Sequence, residues 1–285
     1  MNKSLSPAPW FVALLLLALS PTLSFSQEEE SPSAPSKPAV PAQPSKTVST
    51  MPEKSSFHLY LLIGQSNMVG RGALDAESSV PHPRVLMLNK DNQWVMATDP
   101  LHFAKPGKDT VGPGFSFGKA LADKNPSVTV GLIPCAVGGT PLSRWVKGAP
   151  LYTAAVVRAH EAMKNGELKG VIWHQGEADS KKEDTATTYA TRLTGMIADL
   201  RSELGKPGLP VVVGELGDFL DDINLPFWKK VNGEILTVSQ SVPHCGLAKS
   251  GGLKNKGDHL HFNTEAEREF GRRYAEEMER LQKTP

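Results

Sequence analysis

Apolar residues along the chain gather in short runs set apart by Gly, Pro and polar residues, and the spacing within the runs alternates between two periods. Residues 57–63, 84–88, 128–134, 170–174 and 210–214 are runs of five to seven residues dominated by Val, Ile, Leu and aromatic side chains. Runs of that length bounded by chain breakers predict strands. Between them the period lengthens: Tyr189, Leu193, Met196, Ile197, Leu200 and Leu204 recur at helical spacing, and Trp228, Val231 and Ile235 predict another helix. Near the end, Thr264-x-x-Glu267 has the form of a capping box, followed by Phe270, Tyr274, Met278 and Leu281 on one helical face. Alternating strands and helices predict one α/β domain over residues 57–285, with a central parallel sheet between helical layers.

Several of these strands end in chemistry. The first breaks at Gly64-Gln65-Ser66-Asn67-Met68 and so delivers a hydroxyl to a strand tip. A serine hydroxyl is a poor nucleophile near neutral pH and needs an imidazole to take its proton and a carboxylate to orient that imidazole. Asp258-His259-Leu260-His261 supplies both, three residues apart, on one side of a turn. The run 128–134 leads into Gly138-Gly139-Thr140, and 170–174 leads into Gln175-Gly176-Glu177. Each feature also has an ordinary reading: a turn serine, glycines that relieve a strand-to-helix turn, an Asp that caps a loop. Their common position at strand ends, where open α/β sheets hold their ligands, favours a single site.

Taken in order, Gly64-Gln65-Ser66-Asn67-Met68, Gly138-Gly139-Thr140, His174-Gln175-Gly176-Glu177 and Asp258-x-x-His261 resemble the sialate O-acetylesterase and carbohydrate esterase family 6 branch of the SGNH hydrolases, over about residues 57–275. The resemblance implies a flavodoxin-like three-layer α/β/α sandwich and a cofactor-free serine esterase that removes acetyl groups from sugar hydroxyls. The substrate would be an acetylated polysaccharide such as xylan, or O-acetylated sialic acid. Carried over residue by residue, Ser66 is the nucleophile, His261 the general base and then acid, and Asp258 its orienting partner. The oxyanion hole combines the Ser66 N–H, an N–H of Gly138 or Gly139 and the Gln175 side-chain amide, Gln standing where most relatives have Asn. Such donors are each worth ~3 kcal/mol in the transition state. Glu177 follows closely enough to be the alternative partner of His261. Trp145, after the glycine loop, is either a stacking surface for a pyranose ring or a residue packed at the rim.

Other functions compete. Gly114-Phe115-Ser116-Phe117-Gly118 matches a nucleophile elbow, but 105–113 before it is loop chemistry rather than a strand, so Ser116 is expected to open a helix. A metal hydrolase would draw on His174, Glu177 and Asp179 or on Asp258, His259 and His261, neither cluster having the His-Glu-x-x-His spacing. A carbohydrate-binding module on an inactive esterase scaffold is the non-enzymatic alternative, disfavoured by the intact Ser66, Gln175, Asp258 and His261.

The N-terminus changes the expected compartment. Residues 1–9 carry Lys3 and no acid, 10–19 are ten apolar residues, and Ser24-Phe25-Ser26 offers small residues for cleavage. That pattern predicts a signal peptide over residues 1–26 and an exported protein, and no later run is long enough to span a membrane. Pro32, Pro35, Pro38, Pro41 and Pro44 recur every third residue, which predicts a semi-extended spacer of roughly 40 Å within a linker over 27–56. Removing residues 1–26 takes away Lys3 and no acid, so 31 basic against 30 acidic residues become 30 against 30. That balance gives no footprint for nucleic acid or an anionic membrane. Cys135 and Cys245 are compatible with a disulfide in an exported protein, but buried small hydrophobes are the favoured roles.

Overall fold

Strand β1 (Phe57–Gly64) sets the layers, because successive side chains of a strand leave opposite faces of the sheet. Phe57, Leu59, Leu61 and Ile63 enter one apolar core, and Tyr60 and Leu62 enter another. The computed structural model of the protein describes Val48, residues 50–103 and residues 110–283. After β1 come α1 (Ser66–Val69), β2 (Val85–Leu88), β3 (Trp94–Met96), α2 (Pro113–Lys124), β4 (Thr129–Pro134), α3 (Pro150–Met163) and β5 (Glu167–His174). The chain continues through α4 (Glu183–Thr187), α5 (Tyr189–Glu203), β6 (Val211–Gly214), α6 (Trp228–Ser241), β7 (Cys245–Ala248) and α7 (Thr264–Lys283).

The strands form one sheet in the order β3-β2-β4-β1-β5-β6-β7, parallel throughout except for the antiparallel pairing of β3 with β2. Ala155 and Ala159 of α3, Leu193 and Leu200 of α5 and Val231 and Ile235 of α6 fill the first core. Phe117 and Leu121 of α2 with Phe270, Tyr274 and Met278 of α7 fill the second. This is the expected α/β/α sandwich. Its strand order differs from the flavodoxin-like one, in which the first strand lies between the second and third; here β4 stands between β2 and β1.

Chain termini depart from expectation in two places. Val48 N–H donates to the Trp94 carbonyl at 3.2 Å, and Val48 and Met51 pack on the first core, so the end of the expected linker belongs to the fold. The expected signal peptide over 1–26 and the expected polyproline spacer through residue 47 lie outside the described residues. At α7 the capping residue is Asn263, whose Oδ1 accepts the Ala266 N–H at 2.9 Å, in place of the Thr264/Glu267 box. Thr264 Oγ1 instead donates to the Ala73 carbonyl at 2.8 Å, and Glu267 is fully buried.

Candidate active site

At the end of β1 the backbone of Gly64 turns to φ +137°, and a Cβ there would collide with the His174 carbonyl at the end of neighbouring β5. Only glycine lets the two strands close at that point. Gln65 N–H then donates to His174 O at 2.8 Å, and α1 begins at Ser66. The first N–H groups of a helix have no carbonyl four residues back, so those of Ser66 and Asn67 are free to face a ligand. Ser66 lies at a cavity of about 530 Å³ whose walls include Gly139, Glu177, Lys181, Asn224, Asp258 and His259.

The loop between β7 and α7 brings the imidazole. Asp258 Oδ1 accepts the N–H groups of Leu260 at 3.0 Å and His261 at 2.8 Å, folding the loop into a tight turn. Its Oδ2 lies 2.7 Å from His261 Nδ1, and His261 Nε2 lies 3.0 Å from Ser66 Oγ. A carboxylate accepts only, so Nδ1 carries the proton and the Nε2 lone pair faces the serine hydroxyl. Partial burial pushes the Asp258 carboxyl up, but hydrogen bonds from the His261 ring, the His261 N–H and the Leu260 N–H outweigh it and hold the group at about 2. Asp258 is therefore ionised throughout the physiological range.

Opposite the imidazole, the loop after β4 is fixed at one end by Val137 N–H donating to Gly64 O at 3.0 Å and by Thr140 Oγ1 donating to Val137 O at 2.7 Å. Between those ties lie Gly138 and Gly139, the latter at φ +74°. A Cβ on Gly138 would stand 3.8 Å from Ser66 Cβ and 2.5 Å from an Arg71 guanidinium nitrogen, so the backbone lies directly against the serine. Behind it, the buried His102 Nδ1 accepts the Ala136 N–H at 3.2 Å. Burial, together with the Arg158 and Arg71 charges, pushes that imidazole down to about 3, which keeps the acceptor nitrogen unprotonated.

The sequence matches the carbohydrate esterase, sialic acid-specific acetylesterase family over residues 56–280. The chain belongs to that family. It is a carbohydrate esterase, a carboxylic ester hydrolase. Over 235 residues it is 34% identical to a probable carbohydrate esterase of Arabidopsis thaliana, covering 75% of this chain and 86% of that one. The solved structure of that Arabidopsis thaliana protein superposes with a TM-score of 0.71 at 31% identity, covering 79% of this chain and 97% of the other. NanS shares the fold at a TM-score of 0.68 and 18% identity, with 81% of this chain and 98% of NanS covered.

Three expected site residues make other contacts than those expected of them. Gln175 is wholly buried, and its amide nitrogen faces Asp179 Oδ2 at 2.7 Å, Gln65 Oε1 at 3.1 Å and Thr140 O at 3.2 Å. Two amide hydrogens among three acceptors leave nothing for an oxyanion, so Gln175 stitches the loops after β1, β4 and β5 together instead. Trp145 is 1% exposed, with its ring edge against Trp173 and its Nε1 donating to Thr140 Oγ1 at 3.0 Å; it is a core residue and offers no face to a sugar. Glu177 reaches Asn67 Nδ2 at 2.5 Å and lies 3.5 Å from His174 Nε2, while His261 is held by Asp258.

The remaining candidates are equally well placed by their contacts. Ser116 is buried on α2, donating to the Pro113 carbonyl at 3.1 Å beneath Gly271 of α7, as a helix residue rather than an elbow. Asp179 is engaged by Arg192 at 2.8 Å and by the Leu142 N–H at 2.8 Å, and among the described residues no three His, Cys, Asp or Glu side chains gather around a point that a metal would occupy. Cys135 and Cys245 are both free thiols. Cys135 directly follows β4 and Cys245 opens β7, four strand positions away, or roughly 19 Å at the usual strand spacing, far beyond disulfide reach. Asn67, Arg71 and His102 are site neighbours that sequence reasoning does not single out. Asn67 stands beside Ser66 in the quoted motif, whereas nothing local marks His102.

Proposed function

We propose that the protein hydrolyses O-acetyl esters of carbohydrates through an acetyl-serine intermediate. The observation that carries this reading is the unbroken line from Asp258 Oδ2 to His261 Nδ1 at 2.7 Å and from His261 Nε2 to Ser66 Oγ at 3.0 Å, ending at the cavity. Ser66 Oγ attacks the acetyl carbonyl as His261 Nε2 takes its proton, and the ionised Asp258 stabilises the imidazolium. The tetrahedral oxyanion is met by the N–H of Ser66 and that of Gly138 or Gly139. Collapse expels the sugar alkoxide, which receives the proton from His261, and leaves Ser66 acetylated. Water then gives a proton to His261 and attacks the acetyl group, and the second collapse returns that proton to Ser66 and releases acetate.

The substrate class is supported by the family and by the cavity wall, where Lys181, Asn224, Asp221 and His259 offer hydrogen-bonding groups of the kind that sugar hydroxyls use. Acetylated polysaccharide such as xylan and O-acetylated sialic acid are the two substrates the family resemblance supports. Action outside the cytoplasm rests on the signal-peptide pattern of residues 1–26. Acetate release from a panel of acetylated glycans, with Ser66→Ala as control, tests the whole reading. Release from both sugars and chromogenic acetates by wild type, abolished in Ser66→Ala, is expected; full activity in the variant would overturn it.

A further inference from the structure

The side chain next to the proposed nucleophile does not face the cavity. Asn67 is 3% exposed, and its carboxamide turns toward the loop that carries His261. Nδ2 donates to the Leu260 carbonyl at 3.2 Å and to Glu177 Oε1 at 2.5 Å, and Oδ1 accepts the Phe262 N–H at 3.4 Å. Leu260 and Phe262 are the two sequence neighbours of His261, so one amide on the serine helix grips the main chain on both sides of the imidazole.

Glu177 dictates which way round that amide sits. With its oxygen toward Glu177, Asn67 would set oxygen against carboxylate and again against the Leu260 carbonyl, losing both donor contacts. His174 lies beneath the carboxylate with Nε2 3.5 Å from Glu177 Oε1, and its Nδ1 lies 3.1 Å from the Tyr274 hydroxyl, which donates to Trp173 O at 2.9 Å. Glu177 and His174 are 2% and 0% exposed, so water does not compete for these contacts. Burial pushes the Glu177 carboxyl up, yet the His174 and Asn67 contacts outweigh it and leave the group below the ordinary glutamate value.

We propose that Asn67 and Glu177 form a positioning pair that sets the approach of His261 Nε2 to Ser66 Oγ by tying the β7–α7 loop to α1, neither residue entering the chemistry. The proposal rests on the Ser66–His261 reading. Misplacing a catalytic group by about 1 Å costs on the order of 100-fold in rate, which sets the expected size of the effect.

The test uses the full chain and 4-nitrophenyl acetate, with kcat, KM, pH–rate profile and melting temperature measured for each variant. Asn67→Ala is expected to lower kcat about 100-fold with KM within about 2-fold of wild type. Asn67→Asp sets two carboxyl groups against each other, so its activity is expected to rise toward acid pH as one of them becomes protonated. Adding Glu177→Gln to Asn67→Asp rebuilds a donor–acceptor pair of reversed polarity and is expected to remove that acid shift and restore part of kcat. A wild-type kcat in Asn67→Ala, or an Asn67→Asp pH profile that matches wild type or is unaltered by Glu177→Gln, overturns the pair. If Asn67→Ala fails to fold, the pH profiles of Asn67→Asp with and without Glu177→Gln decide alone. Ser66→Ala separates the levels: activity there removes the underlying reading, while inactivity there beside a fully active Asn67→Ala removes only the positioning pair.

Discussion

At the scale of single residues, the two serines that compete in the sequence are now in contrasting surroundings. Ser66 has an imidazole 3.0 Å from its oxygen, and Ser116 spends its hydroxyl on a helix carbonyl under α7. Ser66→Ala is expected to abolish acetyl-ester hydrolysis, by at least about 1,000-fold in kcat, while Ser116→Ala retains kcat within about 2-fold and changes only stability. Assaying both on one chromogenic acetate decides it, and an inactive Ser116→Ala that remains folded would refute the assignment. The acid partner follows the same logic. Asp258 holds both the ring and the turn, so Asp258→Asn is expected to cost about 10,000-fold in kcat with little change in KM, as for a group that orients the imidazole and stabilises its cation. Glu177→Gln keeps an oxygen toward Asn67 and is expected to cost about 10-fold or less in kcat, an order set by the roughly 1 kcal/mol between a charged and a neutral hydrogen bond. The reverse ranking in two folded variants would transfer the acid role to Glu177.

At the scale of elements, what the sequence revealed depended on whether the signal was local. The strands of the sheet interior are short apolar runs with breakers on each side, and β1, β4, β5 and β6 fall where those runs predict. Strand β3 has only Trp94, Val95 and Met96 to announce it, and β7 reads Cys-Gly-Leu-Ala, so neither carries a run long enough to separate from loop. Helix α3 has alanines on its buried face at 155, 159 and 162, which weakens its apolar contrast. The proposed triad was legible because Ser66 stands just past the end of a strand and Asp258 and His261 stand three apart in one turn. The Gln175 donor role was not, because a motif fixes the residue while its rotamer is fixed by Tyr189, Asp179 and Thr140, which lie on other elements. A loop-stitching Gln175 makes its own prediction. Gln175→Ala removes one hydrogen-bond partner from each of Asp179, Gln65 and Thr140, at about 0.5–1.5 kcal/mol for each bond lost, so melting temperature should fall by several degrees. A variant as stable as wild type but with kcat down 100-fold or more would reinstate it as an oxyanion donor.

At the scale of the whole molecule, several buried ionisable groups set how stability follows pH. Burial pushes Asp99 up to about 8, against help from the Gly112 N–H and the Arg268 and Lys119 charges, and pushes Glu267 well above the ordinary range. His102 is shifted the other way, to about 3. For Asp99 the native state binds a proton between about pH 4 and 8 that the unfolded chain has released, so stability falls as pH rises through that window and levels off above it. His102 acts at the other end: the unfolded chain takes up a proton below about 6.5 that the native state refuses until about 3, so stability falls as pH drops. Asp258, held at about 2, contributes stability that is lost only as pH falls below the unfolded carboxyl value toward its own. These opposed slopes confine maximal stability to a band between them, and one substitution isolates the upper slope. Asp99→Asn has nearly the same shape, keeps an oxygen for the Gly112 N–H and cannot ionise. Relative to wild type it is expected to raise the melting temperature by about 5 °C at pH 8 and by less than about 1 °C at pH 4, with the difference growing steadily between. Thermal melts of both proteins across that range provide the measurement, and a gain of equal size at every pH would mean that Asp99 is already ionised in the native protein at neutral pH.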